Sequence, residues 1–256
     1  MKISATIITF NEERNIKECI ESLLDIADEI VVVDSYSTDK TELLCKAFNR
    51  VQFIQNNFEG YIEQKNFAVS KASNDFILSL DADERLSREL IDELKKIKSD
   101  NAVTTSAYSM PRLNNYCGKW IRYSGWYPDR KVRLWDRRIG KWGGSNPHDY
   151  VVLNESTRQV KLNSKILHYT VTSIKGHVEQ SNKFSDIAAL ELSKSKQKVA
   201  VNFKMLLDPF YTFFKMYFLK FGFLDGFYGL IIAVISSYEK FLKYSKYKQL
   251  VSKRYH

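Results

Sequence analysis

The sequence has little of what would build a disordered, disulfide-stabilised or membrane-spanning protein. Its 256 residues include only 4 prolines and 10 glycines, which argues against a low-complexity chain. The 3 cysteines are too few and too scattered for a disulfide framework or a zinc site, and they predict a reduced, cytosolic protein. No apolar run reaches about 18 residues, so we expect no ordinary transmembrane helix. The first ten residues lack the long apolar region of a signal peptide and predict a first strand instead.

Two common phosphate-binding motifs are also missing. The sequence contains neither a P-loop nor the glycine-rich turn of dinucleotide-binding proteins. A phosphate-bearing ligand would therefore have to be held by a metal ion and by side chains.

Charge is distributed unevenly along the chain. Residues 1–193 hold 27 basic and 27 acidic side chains, whereas residues 194–256 hold 12 basic and three acidic ones, so the whole net charge of +9 lies in the last quarter. A neutral body with a basic tail does not favour nucleic acid as a partner.

Strands and helices alternate through the first 100 residues. Apolar runs at Ile3–Thr9, Glu29–Asp34 and Phe76–Leu80 predict buried strands of an α/β fold with a mostly parallel, doubly wound sheet. Further strands are expected at 51–54, 107–113 and 131–135. Helices are expected at 16–24, 41–48, 63–71, 87–98 and 173–198, and in pieces broken near Gly222 and Gly226 within 203–247.

Polar residues follow three of the predicted strands, at the edge where parallel sheets bind their ligands. They are Thr9 to Asn11, Asp34-Ser35 and Asp81-Ala82-Asp83. Two carboxylates one residue apart offer oxygen ligands to Mg²⁺ or Mn²⁺ and leave coordination sites for substrate phosphates. A solvated acidic turn is the alternative reading of Asp81 and Asp83 taken alone, and their place at a strand end opposite Asp34 favours a metal site.

Four stretches in order carry a resemblance to a known family: TIITFNEERNI, EIVVVDSYSTDKT, QKNFAVSKASNDFILSLDADERLS and KWGGSNPHDYVVL. They resemble an inverting family 2 glycosyltransferase of the GT-A fold. A fifth, DPFYTFFKMYFLKFGFLDGFYGL, resembles the bacterial subgroup that adds glucose to the inner core of lipopolysaccharide. The resemblance implies a catalytic domain at 1–200, with a nucleotide-sugar half at 1–100 and an acceptor half at 101–200. It also implies a helical extension at 201–256.

The same resemblance implies roles for single residues. Asp83 would be the direct metal ligand, Asp81 would contact the ribose or the water shell of the metal, and His168 would complete that shell. A buried structural histidine is the alternative for His168. Ser35 stands where the family often has a second acid that reads the uracil base. The implied nucleotide-sugar contacts are Thr9, Asn11, Glu12, Asp34, Ser35, Lys65 and Asp81.

Inverting transfer also needs a carboxylate that takes the proton of the acceptor hydroxyl. Asp149, in Asn146-Pro147-His148-Asp149, matches the His-acid motif of the family and is the implied base. His148 would orient the base or touch the acceptor. The subgroup more often has a glutamate at this position, so an aspartate shortens the reach by one methylene. A structural aspartate in a glycine-rich turn is the alternative.

Aromatic and basic side chains alternate between Lys119 and Arg138. This pattern fits a nucleic-acid groove, and it also fits a sugar site in which aromatic faces stack on the rings and arginines bind anionic groups. Because the body is neutral, we expect an anionic glycan acceptor, contacted by Trp126 and Arg133. The family's Q-x-x-R-W motif for processive polymerases is absent, which indicates addition of one sugar per acceptor.

The C-terminal segment is both aromatic and basic. Residues 203–247 hold 15 phenylalanines and tyrosines among repeated lysines, which predicts helices that lie on an anionic membrane surface. Packing of these aromatics on the catalytic domain, with the lysines in water, is the alternative.

Together these features predict a metal-dependent enzyme that moves glucose from UDP-glucose to a lipid-linked lipopolysaccharide core. It would act at the cytoplasmic face of the inner membrane. One alternative is the same fold acting on a polyprenyl-phosphate, capsule or protein glycan. Another is an inactive nucleotide-sugar-binding membrane scaffold.

Overall fold

A computed structural model describes residues 1–100, 106–146, 148–194 and 200–252. The strands are β1 (Ile3–Thr9), β2 (Glu29–Asp34), β3 (Val51–Gln55), β4 (Phe76–Asp81), β5 (Glu84–Leu86), β6 (Ser106–Tyr116), β7 (Lys119–Ile121), β8 (Asp129–Asp136), β9 (Gly140–Ser145), β10 (His148–Leu153), β11 (Arg158–Lys161) and β12 (Ile166–Val171). The helices are α1 (Ile16–Leu23), α2 (Thr41–Lys46), α3 (Tyr61–Lys71), α4 (Arg88–Ser99), α5 (Ile174–Lys194), α6 (Val201–Phe214) and α7 (Phe227–Ser252).

Every strand and helix predicted from the sequence is present, with bounds that differ by a few residues. Ser87 caps α4 by accepting a hydrogen bond from the backbone N–H of Leu90, as its place before an acidic first turn suggests. Residues 195–198 of the helix predicted at 173–198 lie outside the described residues. Strands β5, β7 and β9 to β12 were not predicted from the sequence.

Four parallel strands position the candidate site. Their order is β3-β2-β1-β4, so the first strand of the chain lies between β2 and β4. In this register Thr9 pairs with Asp34 and Ile8 pairs with Asp81. The carboxyl ends of β1, β2 and β4 therefore meet at one edge of the sheet, as predicted.

Beyond β4 the sheet continues mainly through antiparallel pairs. Strand β8 pairs with β4 with Trp135 opposite Ile77, and β6 then pairs with β8. Strand β12 pairs with β5, which places His168 opposite Glu84. Strands β9 and β10 form a separate hairpin in which Asp149 lies opposite Gly144. Parallel pairing thus dominates where the polar strand ends converge.

The chain divides into two compact units, one of residues 1–113 with 129–169 and one of residues 114–128 with 170–256. The core of the first unit is built from apolar side chains of β1, β2 and β4 together with α1 and α4, among them Ile7, Ile20 and Leu90. The predicted division at residue 200, between a catalytic domain and a helical extension, concerns function and stays a prediction.

The second unit has a small core of its own, in which Tyr116, Ile121, Val171 and Ile232 are buried together. A π-helical turn follows α6 and a 3₁₀ turn precedes α7, so the helical segment is broken near Gly222 and Gly226 as predicted. Within the described residues, no helix is long and apolar enough to cross a membrane.

Candidate active site

Hydrogen bonds join the loop that follows β1 to the loop that follows β2. The Asn11 N–H donates to Ser37 Oγ over 2.8 Å, and Asn11 Oδ1 accepts from the Thr38 N–H over 2.8 Å. Asn11 has a φ of 54°, a left-handed conformation that asparagine tolerates better than most residues. The buried carboxylate of Asp34 accepts from the Ser37 N–H over 2.8 Å. Asn11 and Asp34 therefore hold the edge in shape before any ligand binds.

Three other predicted nucleotide-sugar contacts lie at the same edge. Thr9 Oγ1 is buried and has no hydrogen-bond partner within the described part of the protein, which leaves a polar atom that a ligand could satisfy. Ser35 Oγ accepts from Gln64 Nε2 over 3.0 Å. Burial raises the pKa of Glu12 above its usual value, and the carboxylate of Asp83 adds to the rise against a hydrogen bond from Asn15.

Lys65 connects the acidic strand end to the predicted base. Its ammonium on α3 lies 2.8 Å from Asp81 Oδ1 and 2.7 Å from Asp149 Oδ2. The same Nζ lies over the ring of Trp142, 4.4 Å from its centroid. One buried cation thus brings together two carboxylates from distant parts of the sequence.

A second buried cation holds the other side of Asp81. Arg133 Nη2 donates to Asp81 Oδ2 and to Glu84 Oε1, each over 2.7 Å. Glu84 Oε2 accepts from the Asp81 N–H over 3.0 Å. Burial alone would raise the pKa of Asp81, but the charges of Lys65 and Arg133 hold it well below its usual value. Asp81 is therefore an anion fixed from two directions.

The role of Glu84 in the site was not predicted from the sequence. Glu84 is fully buried, and it also accepts from Arg112 Nη1 over 3.2 Å. A fully buried glutamate must be paired. No sequence signal pairs Glu84 with Arg112 on β6 or Arg133 on β8, because those contacts depend on the register between distant strands.

Asp83 and His168 form the part of the site best suited to a metal ion. His168 Nε2 lies 3.1 Å from Asp83 Oδ2. Among the described residues, no three His, Cys, Asp or Glu side chains are grouped closely enough to hold a metal by themselves. A carboxylate and an imidazole nevertheless fit a divalent ion that takes its other ligands from phosphate oxygens and water, as Mg²⁺ commonly does.

The β9–β10 hairpin places Asp149 against Lys65. The side chain of Asp149 is largely buried, whereas His148 at the start of β10 is exposed. Asn146 ties the hairpin to α3 because its Oδ1 accepts from the Ile62 N–H over 3.1 Å. Pro147, the motif residue between Asn146 and His148, lies outside the described residues.

The two predicted acceptor contacts are placed differently from the rest. Trp126 belongs to the second unit, where its ring centroid lies 5.8 Å from that of Tyr116 and 6.0 Å from that of His177. Arg133 is 3% exposed and is bound to Asp81 and Glu84, which favours a positioning role. Contact of either residue with an acceptor stays a prediction.

A family match and relatives of nearly full length both identify the family of this chain. Residues 4–160 match the family described as Glycosyl transferase family 2. A glycosyltransferase of Rickettsia typhi is 34% identical over 97% of this chain and 87% of its own length. The lipopolysaccharide core biosynthesis glycosyltransferase LpsC of Rhizobium meliloti is 30% identical over 97% of this chain and 93% of its own length.

Among solved structures, a mannosyltransferase from Pyrobaculum calidifontis aligns with 77% of this chain and 66% of its own, at 16% identity and a TM-score of 0.48. A likeness of that size says nothing about substrate or metal. The family match and the relatives over nearly the full length carry the conclusion, which agrees with the resemblance seen in the sequence. This chain belongs to glycosyl transferase family 2, and its α/β body is the predicted GT-A fold.

Proposed function

We propose that this glycosyltransferase is a metal-dependent, inverting hexosyltransferase with Asp149 as its base. The observation that carries the proposal is Lys65, whose Nζ contacts both Asp81 and Asp149 at the ligand edge of the parallel strands. The acid expected to face the nucleotide sugar and the acid expected to face the acceptor are therefore within reach of one ammonium group.

The proposed reaction is a single displacement. The acceptor hydroxyl oxygen bonds to C1 of the donor sugar, the bond from C1 to the diphosphate oxygen breaks, and the hydroxyl proton passes to the Asp149 carboxylate. The nucleoside diphosphate leaves with the electron pair of the broken bond. A shared lysine suits this chemistry because it fixes the position of the Asp149 carboxylate, and a base must be held within hydrogen-bond reach of the proton that it takes.

Asp83 and His168 would hold the metal, with Asp81 fixed beside them. When bound, a divalent ion would neutralise the charge that develops on the leaving diphosphate. Either Mg²⁺ or Mn²⁺ is compatible with carboxylate and phosphate oxygen ligands. Thr9, Asn11, Glu12, Asp34 and Ser35 would then surround the nucleotide at the edge they already share.

The proposed donor is UDP-glucose and the proposed acceptor is an anionic, lipid-linked core oligosaccharide of lipopolysaccharide. The name of the Rhizobium meliloti relative supports a role in lipopolysaccharide core synthesis. The basic C-terminal segment with its exposed aromatics supports work at the inner face of the cytoplasmic membrane. A polyprenyl-phosphate, capsule or protein glycan is the alternative acceptor.

Calorimetry with UDP-glucose, UDP-galactose, UDP-N-acetylglucosamine and GDP-mannose tests the donor site. We expect UDP-glucose to bind with Mn²⁺ present and to lose that binding in Asp83→Ala. Binding of another nucleotide sugar would correct the donor. Absence of binding for all four by the folded protein would favour the inactive scaffold.

The base is tested by Asp149→Asn, which should keep donor binding and lower transfer by about a thousandfold or more. Asp28→Asn is the matched control, because Asp28 also pairs with a lysine at 2.8 Å and bonds the backbone at the start of β1, away from the ligand edge. Retained transfer by Asp149→Asn would remove Asp149 from the role.

A further inference from the structure

One part of the second unit carries several apolar side chains at its surface. It consists of the loop 122–125 and residues 218–227, and we call it the knuckle. Its exposed apolar side chains are Tyr123, Phe218, Leu219, Phe221, Phe223, Leu224 and Phe227. Contiguous exposed apolar surface of this kind usually marks a site of interaction.

The knuckle is held in a fixed conformation. Gly222 and Gly229 approach so closely that a Cβ on Gly229 would lie 1.8 Å from the Gly222 carbonyl oxygen. The buried carboxylate of Asp225 accepts from the backbone N–H groups of Arg122 and Tyr123 over 3.1 and 2.9 Å. The Ser124 N–H donates to the Lys220 carbonyl over 2.9 Å. Its aromatics are thus presented by a built scaffold.

Phe221 is the least expected residue in this scaffold. Its φ is 54°, the left-handed region that glycine adopts readily and that is costly for a bulky side chain. Its side chain is nevertheless 54% exposed, so the ring gains little burial in return. A strained and exposed phenylalanine serves neither local geometry nor the core, which points to a partner outside the protein.

The charge around the knuckle has one sign at the surface. Arg122, Lys215 and Lys220 are exposed. The acidic residues between 203 and 227 are Asp208 and Asp225. Asp208 accepts a hydrogen bond from the Tyr244 hydroxyl, and Asp225 is bound to the loop 122–125. Both acids are hydrogen-bonded within the unit, Asp225 buried and Asp208 half-buried, so the knuckle presents cations beside its aromatics.

We infer that the knuckle inserts Phe221, Leu224 and Phe227 into the headgroup region of an anionic lipid bilayer, with Arg122, Lys215 and Lys220 on the lipid phosphates. Aromatic side chains beside cations are the groups that interfacial segments use. The inference rests on the proposed work at a membrane and is independent of the transfer chemistry. It places a contact in the knuckle and the adjoining Lys215. Helix α6, which precedes Lys215 in the chain, also exposes apolar side chains, among them Phe210.

A second copy of the chain is the competing occupant. Symmetric pairing through this surface would set Arg122, Lys215 and Lys220 near their own copies, and like charges at an interface oppose association. Anionic lipid instead complements the apolar and the cationic groups together, so the surface favours lipid.

The test is cosedimentation of the full-length protein with vesicles of phosphatidylcholine alone or with about one third phosphatidylglycerol. Phe221→Gly is the decisive variant, because glycine accepts the left-handed φ and should not lower the melting temperature. We expect the vesicle partition coefficient of Phe221→Gly to fall about fivefold and that of Phe221→Gly with Leu224→Ser about twentyfold or more. Binding should need the anionic lipid and weaken in high salt.

Leu43→Ser is the matched control for Leu224→Ser, since Leu43 is even more exposed (69% against 53%) but belongs to the first unit, and this variant should bind vesicles like the wild type. Calorimetry of nucleotide-sugar binding without vesicles should be the same for all variants, which separates failure of this inference from failure of the donor site. Equal vesicle binding by the wild type and the double variant would overturn the inference. A dimer that these substitutions dissociate, with no vesicle binding by the wild type, would also overturn it.

Discussion

The two units differ in the energetically costly groups that they concentrate, which are buried charges in the first and exposed apolar side chains in the second. The first unit buries charge: Lys65, Glu84 and Arg133 lie inside it, and each is matched by an oppositely charged partner. The second unit exposes apolar surface, with Phe210 and Phe227 each more than 60% accessible. Both arrangements cost stability, since burying charge is expensive and leaving large apolar side chains in water forgoes a favourable burial.

The contrast separates two kinds of function. A buried network of alternating charges fixes the positions of Asp81 and Asp149 for chemistry that depends on distances of a fraction of an ångström. Exposed aromatics on a rigid scaffold suit a partner whose surface is fluid and needs no matched geometry. Substitutions in the buried charge network and in the exposed aromatic surface should therefore affect different measurements.

Arg133→Met should produce the largest loss of stability, about 3 to 5 kcal/mol in urea unfolding at neutral pH, because Asp81 and Glu84 would lose a cation they share. Lys95→Met is the control. Lys95 pairs with Asp25 at 2.8 Å and both side chains are about half exposed, so the free energy of unfolding should change little. An Arg133→Met protein of normal stability with only a raised acceptor KM would support the acceptor contact instead.

Gly229→Ala should cost about 3 kcal/mol, because the new Cβ would lie 1.8 Å from the Gly222 oxygen and the 3₁₀ turn would have to move. Gly176→Ala in α5 is the control, since the nearest atom there is the Ser173 Oγ at 3.3 Å and alanine favours a helix. Thermal unfolding of the two variants compares them directly. Equal stability would mean that the knuckle is not rigidly built.

Tyr244→Phe should cost about 1 kcal/mol at pH 7, because the hydroxyl of Tyr244 donates to Asp208. Burial and the Asp208 carboxylate raise the pKa of Tyr244 to about 12, above its usual value near 10. The wild type should keep this contribution below about pH 10 and lose it as the pH rises toward 12. Urea unfolding at pH 7 and pH 11 should show the gap closing, and a constant gap would contradict the assignment.

Phe210→Ser should have the smallest effect, within about 0.5 kcal/mol, because Phe210 is 74% exposed. Ile20→Ser in the buried face of α1 is the contrasting substitution and should cost several kcal/mol. A large loss for Phe210→Ser in chemical denaturation would show that α6 is covered in solution, and the contrast between the units would no longer hold.

Much of the first unit could be predicted because its signals are local. The run Glu29–Asp34 is apolar and ends in an acid, and a parallel sheet brings such ends together, so the convergence of Asp34, Asp81 and Thr9 followed from the strands alone. The breaks near Gly222 and Gly226 in the second unit could also be predicted from a local signal, because glycine marks turns where helices stop.

The side-chain partners could not be predicted, because they depend on register between distant strands. Lys65 and Asp149 are 84 positions apart and meet only because the β9–β10 hairpin reaches α3. The burial of Glu84 could not be predicted, because it follows from the pairing of β5 with β12. The burial of Arg133 could not be predicted either, because exposure cannot be read from a basic, aromatic stretch.

The discontinuity of the second unit has a consequence for synthesis. Tyr116 and Ile121 are synthesised more than 100 residues before Ile232, with which they are buried. At roughly 5 to 20 residues per second, Ile232 follows them after on the order of 5 to 20 seconds. A ribosome that stalls or stops near residue 200 would release a chain whose first unit has all its strands, while Tyr116 and Ile121 would have Val171 but not Ile232 to pack against. Such a product would be a target for chaperones and proteases.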